Sequence, residues 1–482
     1  MDKVLFVTGK LAAPLLRETL ASMKAPFEHE VAVLGISVAA LMTTDWVGRF
    51  LEVGPGVDLI LLPGHAQGDP GVLKRRFGVR AEKGPKDLRQ IPEHFGMAAA
   101  RADYGAHDVQ ILAEINDAPS LRVPDILLRA RAFADSGADV IDLGCTKGRP
   151  FPGLAEAVGA LRAEGHRVSV DSFDRDEIRT AVRAGVEMVL SVNGSNLELA
   201  REHPATYVVI PDFGAGLDSL FRNMDTLAGW GVSFIADPVL DPIGFGAAES
   251  LHRYYEVRHR HPEAEILMGI ANLTELTEAD STGVTALLLG YCQELGIRHV
   301  LTTAEIPWAR GAVREADIAR RLMHYAVTKK SLPKHVDSRL LTTRDPSVAV
   351  YGEAELRRMQ AEITDLDYRI FTDGQRIHVF NAERFVSGTD ASEIFAQLDV
   401  LQASHAFYLG KELQKASLAL TLGKTYRQEG QLSWGYLTPP ETTEAHATAR
   451  GESRLRASRE RADRRRAADR KRAGTRRRDR RA

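Results

Sequence analysis

The sequence predicts an α/β protein built around a (β/α)₈ TIM barrel, flanked by an N-terminal α/β domain and a small C-terminal α+β module. Three observations carry this. Between residues 108 and 345, eight short apolar runs are mostly separated by helical patterns. Several of those helical patterns stop at glycine, which takes up the left-handed conformation that ends helices. Eight strand–helix repeats in about 240 residues match the count and length of a closed parallel barrel.

The eight runs are VQILAEIN (109–116), VIDLG (140–144), RVSVDSF (167–173), MVLSVNG (188–194), YVVIPD (207–212), SFIADP (233–238), EILMGIAN (265–272) and HVLTTAE (299–305). Continuous apolar strands of this kind are buried on both faces, as parallel pairing under crossover helices requires. Before the barrel, residues 1–106 show three more such runs, 4–9, 30–36 and 57–64, with helical stretches between them. A small parallel α/β domain is expected there. The stretch 68–95 reads as a loop-bearing segment made basic by Lys74, Arg75, Arg76, Arg80, Lys83, Lys86 and Arg89. After the barrel, 350–440 contains a hairpin over 369–381 turning at Asp373-Gly374, then helices near 391–401 and 410–420.

The 482 residues, 44% hydrophobic and 27% charged, have the composition of a soluble globular protein. No apolar run reaches the length of a membrane span. Two distant cysteines, Cys145 and Cys292, exclude a disulfide framework, and a reducing, cytoplasmic setting is expected. The net charge of −2 conceals a split. Residues 450–482 carry 16 Lys and Arg against 5 Asp and Glu, a net of +11, so the remaining 47 basic and 60 acidic residues leave −13. That tail is nearly devoid of apolar residues and is expected to be disordered. Its partner is not specified by its composition.

In a barrel, reactive groups sit at the C-terminal ends of the strands. Those ends carry Asn116, Asp117, Asp142, Asp171, Asn193, Asp212, Asp237, Asn272, Thr302, Thr303 and Glu305. Such a set lines a polar ligand site. Asp171 and Asp237 stand out because each interrupts an apolar run (SVDSF, FIADPV) and needs buried donors. A carboxylate accepts two parallel hydrogen bonds from an N–C–N donor edge, and the amino-pyrimidine rim of a pterin has such an edge. A divalent metal is the competing ligand, since Asp and Asn are hard oxygen donors.

These segments resemble the pterin-binding superfamily of dihydropteroate synthases and methyltetrahydrofolate–corrinoid methyltransferases. ADVIDLGCTKGRPFPG (138–153) is similar to the synthase segment after strand two, with Asp142, Gly144, Thr146, Arg149 and Pro150 in register. In 167–194 the family's pterin-binding Asp falls on Asp171, and Asn193 takes the place of the strand-four Asn if that strand is bulged. IADPVLDPIGFG (235–246) puts the strand-six Asp on Asp237, and MGIANLT (268–274) is similar to the strand-seven segment. The whole chain looks most like the dihydropteroate synthase-like proteins of tetrahydromethanopterin-dependent one-carbon metabolism.

The resemblance implies a transferase that condenses a 6-hydroxymethyl-dihydropterin diphosphate with an arylamine in tetrahydromethanopterin, or folate-like, biosynthesis. Asp142, Asp171, Asn193, Asp212 and Asp237 would bind the pterin, and Asn272, Lys147 and Arg149 would be catalytic. Asn116, through Mg²⁺, would help neutralise the leaving diphosphate. A homodimer is implied as well. Departures are visible. Folate-type synthases carry a Lys where Asn272 stands, and an Arg-x-His pair where TTAEIPWARG offers only Arg310. An Asn in that strand-seven position assists pterin N5 activation in the methyltransferases, so a methyl-tetrahydropterin:corrinoid methyltransferase is one alternative. It would need a separate corrinoid protein, because DxHxxG is absent; 63–68 lacks the Asp. A non-catalytic pterin-binding or assembly protein is the other. Gly423-Lys424-Thr425 has no strand before it and Leu418 in place of the first glycine, so it is no phosphate-binding loop.

Overall fold

The computed structural model describes residues 3–439 apart from 24, 26, 86, 87, 89, 90, 96–103 and 349. The basic tail, Lys86 and Arg89 lie outside the described residues. Three sheets organise the chain.

The first contains β1 (Lys3–Gly9), β2 (Glu28–Leu34), β3 (Leu59–Leu62) and β4 (Arg80–Lys83) in the order β2-β1-β3-β4, and all its pairings are parallel. β1 and β3 are apolar and buried because helices cover them, among them Ala13–Ser22 and Thr44–Phe50. The loop-bearing stretch 68–95 also contains a helix, Gly71–Phe77, and the edge strand β4. β4 reads RAEK. An edge strand needs no apolar run and is protected by its charges, so the apolar pattern missed it.

The second sheet is the barrel. Its strands are β5 (Gln110–Ile115), β6 (Val140–Gly144), β7 (Arg167–Asp171), β8 (Met188–Val192), β9 (Thr206–Val209), β10 (Phe234–Ala236), β11 (Leu267–Gly269) and β12 (His299–Thr302). Each predicted run supplies one strand. The sheet runs β10-β9-β8-β7-β6-β5-β12-β11. A parallel bridge between Ala236 and Ile266, with the Ala236 N–H donating to the Glu265 carbonyl at 2.8 Å, closes the ring.

Alternation decides what each strand face meets. Leu112, Val140, Met188, Leu190, Val208, Ile235 and Leu267 point inward and pack with Leu301 into an apolar plug. Their outward neighbours, such as Ile111, Ile141 and Val168, pack on the surrounding helices. Helix starts and stops follow the chain's own signals. The Asp174 carboxylate accepts from the N–H groups of Asp176 and Glu177, and the helix it opens ends at Gly185, φ +97°. The third sheet, β13 (Arg369–Thr372), β14 (Ile377–Phe380) and β15 (Phe385–Gly388), is antiparallel. Helix Ala403–Leu422 packs on it. The helix expected at 391–401 ends at Phe395.

Arg320 ties the N-terminal end of the barrel together. It is 2% exposed. Its guanidinium donates to the carbonyls of Val109 (2.8 Å) and Gly137 (2.9 Å) and to the carboxylates of Asp139 and Asp317. One buried side chain on the helix Ala312–Lys329 thus fixes the entries to β5 and β6. Lys424 is equally committed: its buried ammonium donates to the Thr342 carbonyl and sits 4.5 Å from the Trp434 ring centre. Among the described residues no helix is long and apolar enough to cross a membrane.

Replacing Arg320 with Ala would leave Asp317, 4% exposed, short of a partner and two carbonyls without their donor. Breaking a buried pair from one side costs about 3–5 kcal/mol. Urea unfolding of Arg320→Ala should show a loss of that size, and a loss below about 1 kcal/mol would contradict the role given to Arg320.

Candidate functional site

The layer above the apolar plug is acidic. Glu114 on β5 stands in register with Asp142 on β6, and Asp142 with Ser169 on β7. Asp171, in register with Gly144, follows one step higher. Residues in register on parallel strands share a face, so these side chains meet inside the barrel. One oxygen each of Glu114, Asp142 and Asp171 lies within 4.8 Å of the others. Gly144 makes room for this arrangement, because a Cβ there would stand 2.3 Å from Glu114 Oε1.

Burial and mutual repulsion govern their charge. Asp142 is completely buried, and the Ser169 hydroxyl donates to its Oδ1 at 2.5 Å. Its Oδ2 has no hydrogen-bond partner. Burial, with the charges of Glu114 and Asp171, pushes its carboxyl well above the ordinary range. Glu114 is pushed up to about 7 by burial and by Asp171, Glu275 and Glu305. Asp171 is pushed up to about 7 by burial and then by Asp237. That last effect brings Asp237 into the same electrostatic neighbourhood.

Asp237 follows β10. Its Oδ1 accepts from the Tyr254 hydroxyl (2.6 Å) and from the Val239 N–H (2.8 Å). Val239 presents that N–H from a left-handed conformation, φ +66°, which is strained for a β-branched residue. Burial raises Asp237 to about 6; the two hydrogen bonds and the Arg253 charge oppose the rise. The loop after Asp237 is held from two sides. Arg253 donates to the carbonyls of Pro238 and Val239 and to Asp241, and the Asn272 carboxamide nitrogen donates to the Leu240 carbonyl at 2.7 Å. Asn272, expected at the end of a strand, lies in the short helix Ala271–Thr274 after β11 and braces the Asp237 loop from there.

The remaining expected residues form two clasps at the rim. β8 carries a register shift between Leu190 and Val192, the bulge that Asn193 needs to stand in for a strand-four Asn. Asn193 is buried, and its Oδ1 accepts from the N–H and hydroxyl of Ser195. Asp212 Oδ1 accepts from the Gly194 N–H (2.7 Å) and Asn223 (3.0 Å), which hold it below the usual carboxylate range. On the other side, Asp117 (φ +47°) accepts from the Thr146 hydroxyl and pairs with Arg149 at 3.3 Å. Lys147 is exposed on the same loop. Asn116 Oδ1 accepts from the Thr303 hydroxyl at 2.5 Å. Arg310 is exposed beyond β12. Cys145 is raised by burial and by Glu177, which keeps it a thiol.

Glu114 is the residue the sequence reading missed. The signal was present: a charge inside an apolar run, ILAEIN, the same pattern that singled out Asp171 and Asp237.

The acidic layer sets a pH dependence. A carboxyl raised in the folded state binds protons more tightly there than in the unfolded chain. Its stabilising effect is complete below the unfolded value and is lost as pH climbs through the folded one. For Glu114 that window runs from 4.5 to about 7, and for Asp171 from 3.8 to about 7. The melting temperature should therefore fall across this range, and Glu114→Gln should flatten the fall. An identical slope in the variant would contradict the placement of Glu114.

The chain is similar to known proteins in three segments. Residues 117–214 match the family model "Pterin binding enzyme", 356–429 match "PterinBD-DUF4346", and 2–86 match DUF6513, a family of unknown function. An uncharacterized protein of Methanocaldococcus jannaschii is 25% identical over 89% of this chain and 99% of its own length. Solved structures with similarity include a Yersinia pestis dihydropteroate synthase (16% identity, 46% of this chain, 95% of that chain, TM-score 0.37). Others are the Thermus thermophilus enzyme in complex with 6HMPPP (22%, 44%, 91%, 0.35) and the Anaplasma phagocytophilum enzyme with 6-hydroxymethylpterin-monophosphate (18%, 45%, 99%, 0.37). The segment similar to pterin binding enzymes, 117–214, contains Asp142, Asp171, Asn193 and Asp212.

Proposed function

We propose that the barrel binds a reduced pterin at its C-terminal mouth and that the chain is a dihydropteroate synthase-like transferase of tetrahydromethanopterin biosynthesis. The observation that carries the reading is the placement of two half-buried carboxyls at the same end of one parallel barrel: Asp171 ends β7 and Asp237, 66 positions later, directly follows β10. A braced Asp237 and an Asp171 carboxylate with no side-chain partner among the described residues, above an apolar plug, suit a flat heterocycle with an N–H-rich edge. The 2-amino group and ring N–H donate to the Asp171 carboxylate, while Asp237 takes the remaining donor.

In the condensation, the arylamine nitrogen attacks the pterin's exocyclic methylene carbon. The carbon–oxygen bond to diphosphate breaks, and the amine loses a proton. For this pathway the arylamine is a ribofuranosylaminobenzene phosphate. The chain's task is to neutralise the departing anion. Lys147 and Arg149, on one exposed loop beside β5, are suited to it. Asn116 offers a carboxamide oxygen that already accepts one hydrogen bond and has a second lone pair. This fits one contact to a Mg²⁺ that would supply further positive charge to the diphosphate.

Titration with a reduced pterin tests the binding. Asp171→Asn and Asp237→Asn each remove a charge-assisted hydrogen bond, a loss of about 1.5–3 kcal/mol or roughly 10–150-fold in affinity. Affinity for the wild-type chain should rise with pH through 6 to 7, where Asp237 and Asp171 ionise. No saturable pterin binding would overturn the reading. Diphosphate release from a hydroxymethyl-dihydropterin diphosphate, dependent on added arylamine, tests the chemistry. Binding without release would exclude the condensation and leave methyl transfer or a non-catalytic role.

A further inference from the structure

We propose that Glu114, Asp142 and Asp171 form a binding site for one hard divalent cation at the floor of the barrel mouth, separate from the Asn116 contact. Four observations converge. The three carboxylate oxygens lie within 4.8 Å of one another, the span available to oxygens sharing one ion at about 2.1–2.5 Å. Asp142 is wholly buried, with Oδ1 satisfied by Ser169 and Oδ2 left without a partner. Its register with Glu114 turns that side chain into the cluster. A buried carboxylate oxygen without a donor is costly, and a cation removes the cost. Finally, among the described residues no Lys, Arg or His forms an ion pair with any of the three, although exposed acids throughout the molecule do.

The donor set is all carboxylate, with no sulfur or imidazole, which selects Mg²⁺, Mn²⁺ or Ca²⁺ over softer metals. The Asp171 carboxylate has about four lone-pair sites on its two oxygens, so one lone pair can meet the ion while both oxygens keep a lone pair for donors in the mouth. Protons are the competing way to neutralise the cluster. The two differ in one respect: a cation displaces protons, so its affinity increases with pH.

The test uses the full chain, stripped with a chelator and free of pterin and diphosphate, titrated with Mn²⁺. Free Mn²⁺ is read by its paramagnetic resonance signal. One Mn²⁺ per chain should bind, more tightly at roughly pH 8 than at roughly pH 6. Glu114→Gln should weaken binding by about tenfold or more. Glu114→Gln keeps the side chain's size; circular dichroism on the same samples verifies its fold, and Asp142→Asn, which retains the Ser169 hydrogen bond, gives an independent variant. Absence of saturable binding at millimolar Mn²⁺, or equal binding by wild type and both acidic-cluster variants, would overturn the proposal. Reduced-pterin titration of the stripped protein reports separately, so this site and the pterin reading fail independently.

Discussion

Three carboxyl groups occupy the inside of the barrel with no cationic side chain among the described residues beside them. That arrangement exists because β5, β6 and β7 are in register, so Glu114, Asp142 and Asp171 share the inner face. It is costly in the free protein, and burial drives all three carboxyls upward. The apolar plug beneath closes the barrel from the other end and leaves the acids no exit but the mouth. A site so poor in positive charge and so rich in acceptors suits a ligand that brings donors or positive charge with it.

The scaffold around this layer is correspondingly firm. Arg320 pins the opposite end of the barrel, where a loose entry to β5 or β6 would shift the register that brings the acids together. Tyr254 and Val239 fix Asp237, and Arg253 and Asn272 brace its loop. Beyond the barrel, the Tyr436 hydroxyl donates to Glu315, which also accepts from Ser281 and Thr282. Gly311 leaves space for that tyrosine ring, since a Cβ would overlap its hydroxyl. The C-terminal residues thus pack against the same helix that carries Arg320.

Eight barrel strands were legible in the sequence because parallel strands buried on both faces are continuous apolar runs. The edge strand Arg80–Lys83 was not, because its charges carry no such pattern. Asp171 and Asp237 were legible as charges interrupting apolar runs. Glu114 had the same signature but stands inside the strand, followed by the apolar Ile115, and the polar pair Asn116-Asp117 that ends the run overshadows it. The local commitments of Asn193 to Ser195 and of Asn272 to Leu240 were not legible, since loop closure depends on neighbours distant in sequence or on turn geometry. Lys424 illustrates the converse: a phosphate-loop look-alike turned out to be a buried lysine bound to carbonyl oxygens.

The central claim is geometric, and a crystal structure of the chain in complex with a reduced pterin tests it most directly. The account predicts the amino-pyrimidine edge of the ring within hydrogen-bonding distance of the Asp171 and Asp237 carboxylates, above the plug formed with Leu301. A ring bound elsewhere on the chain, or lying in the mouth with that edge turned toward solvent, would contradict it.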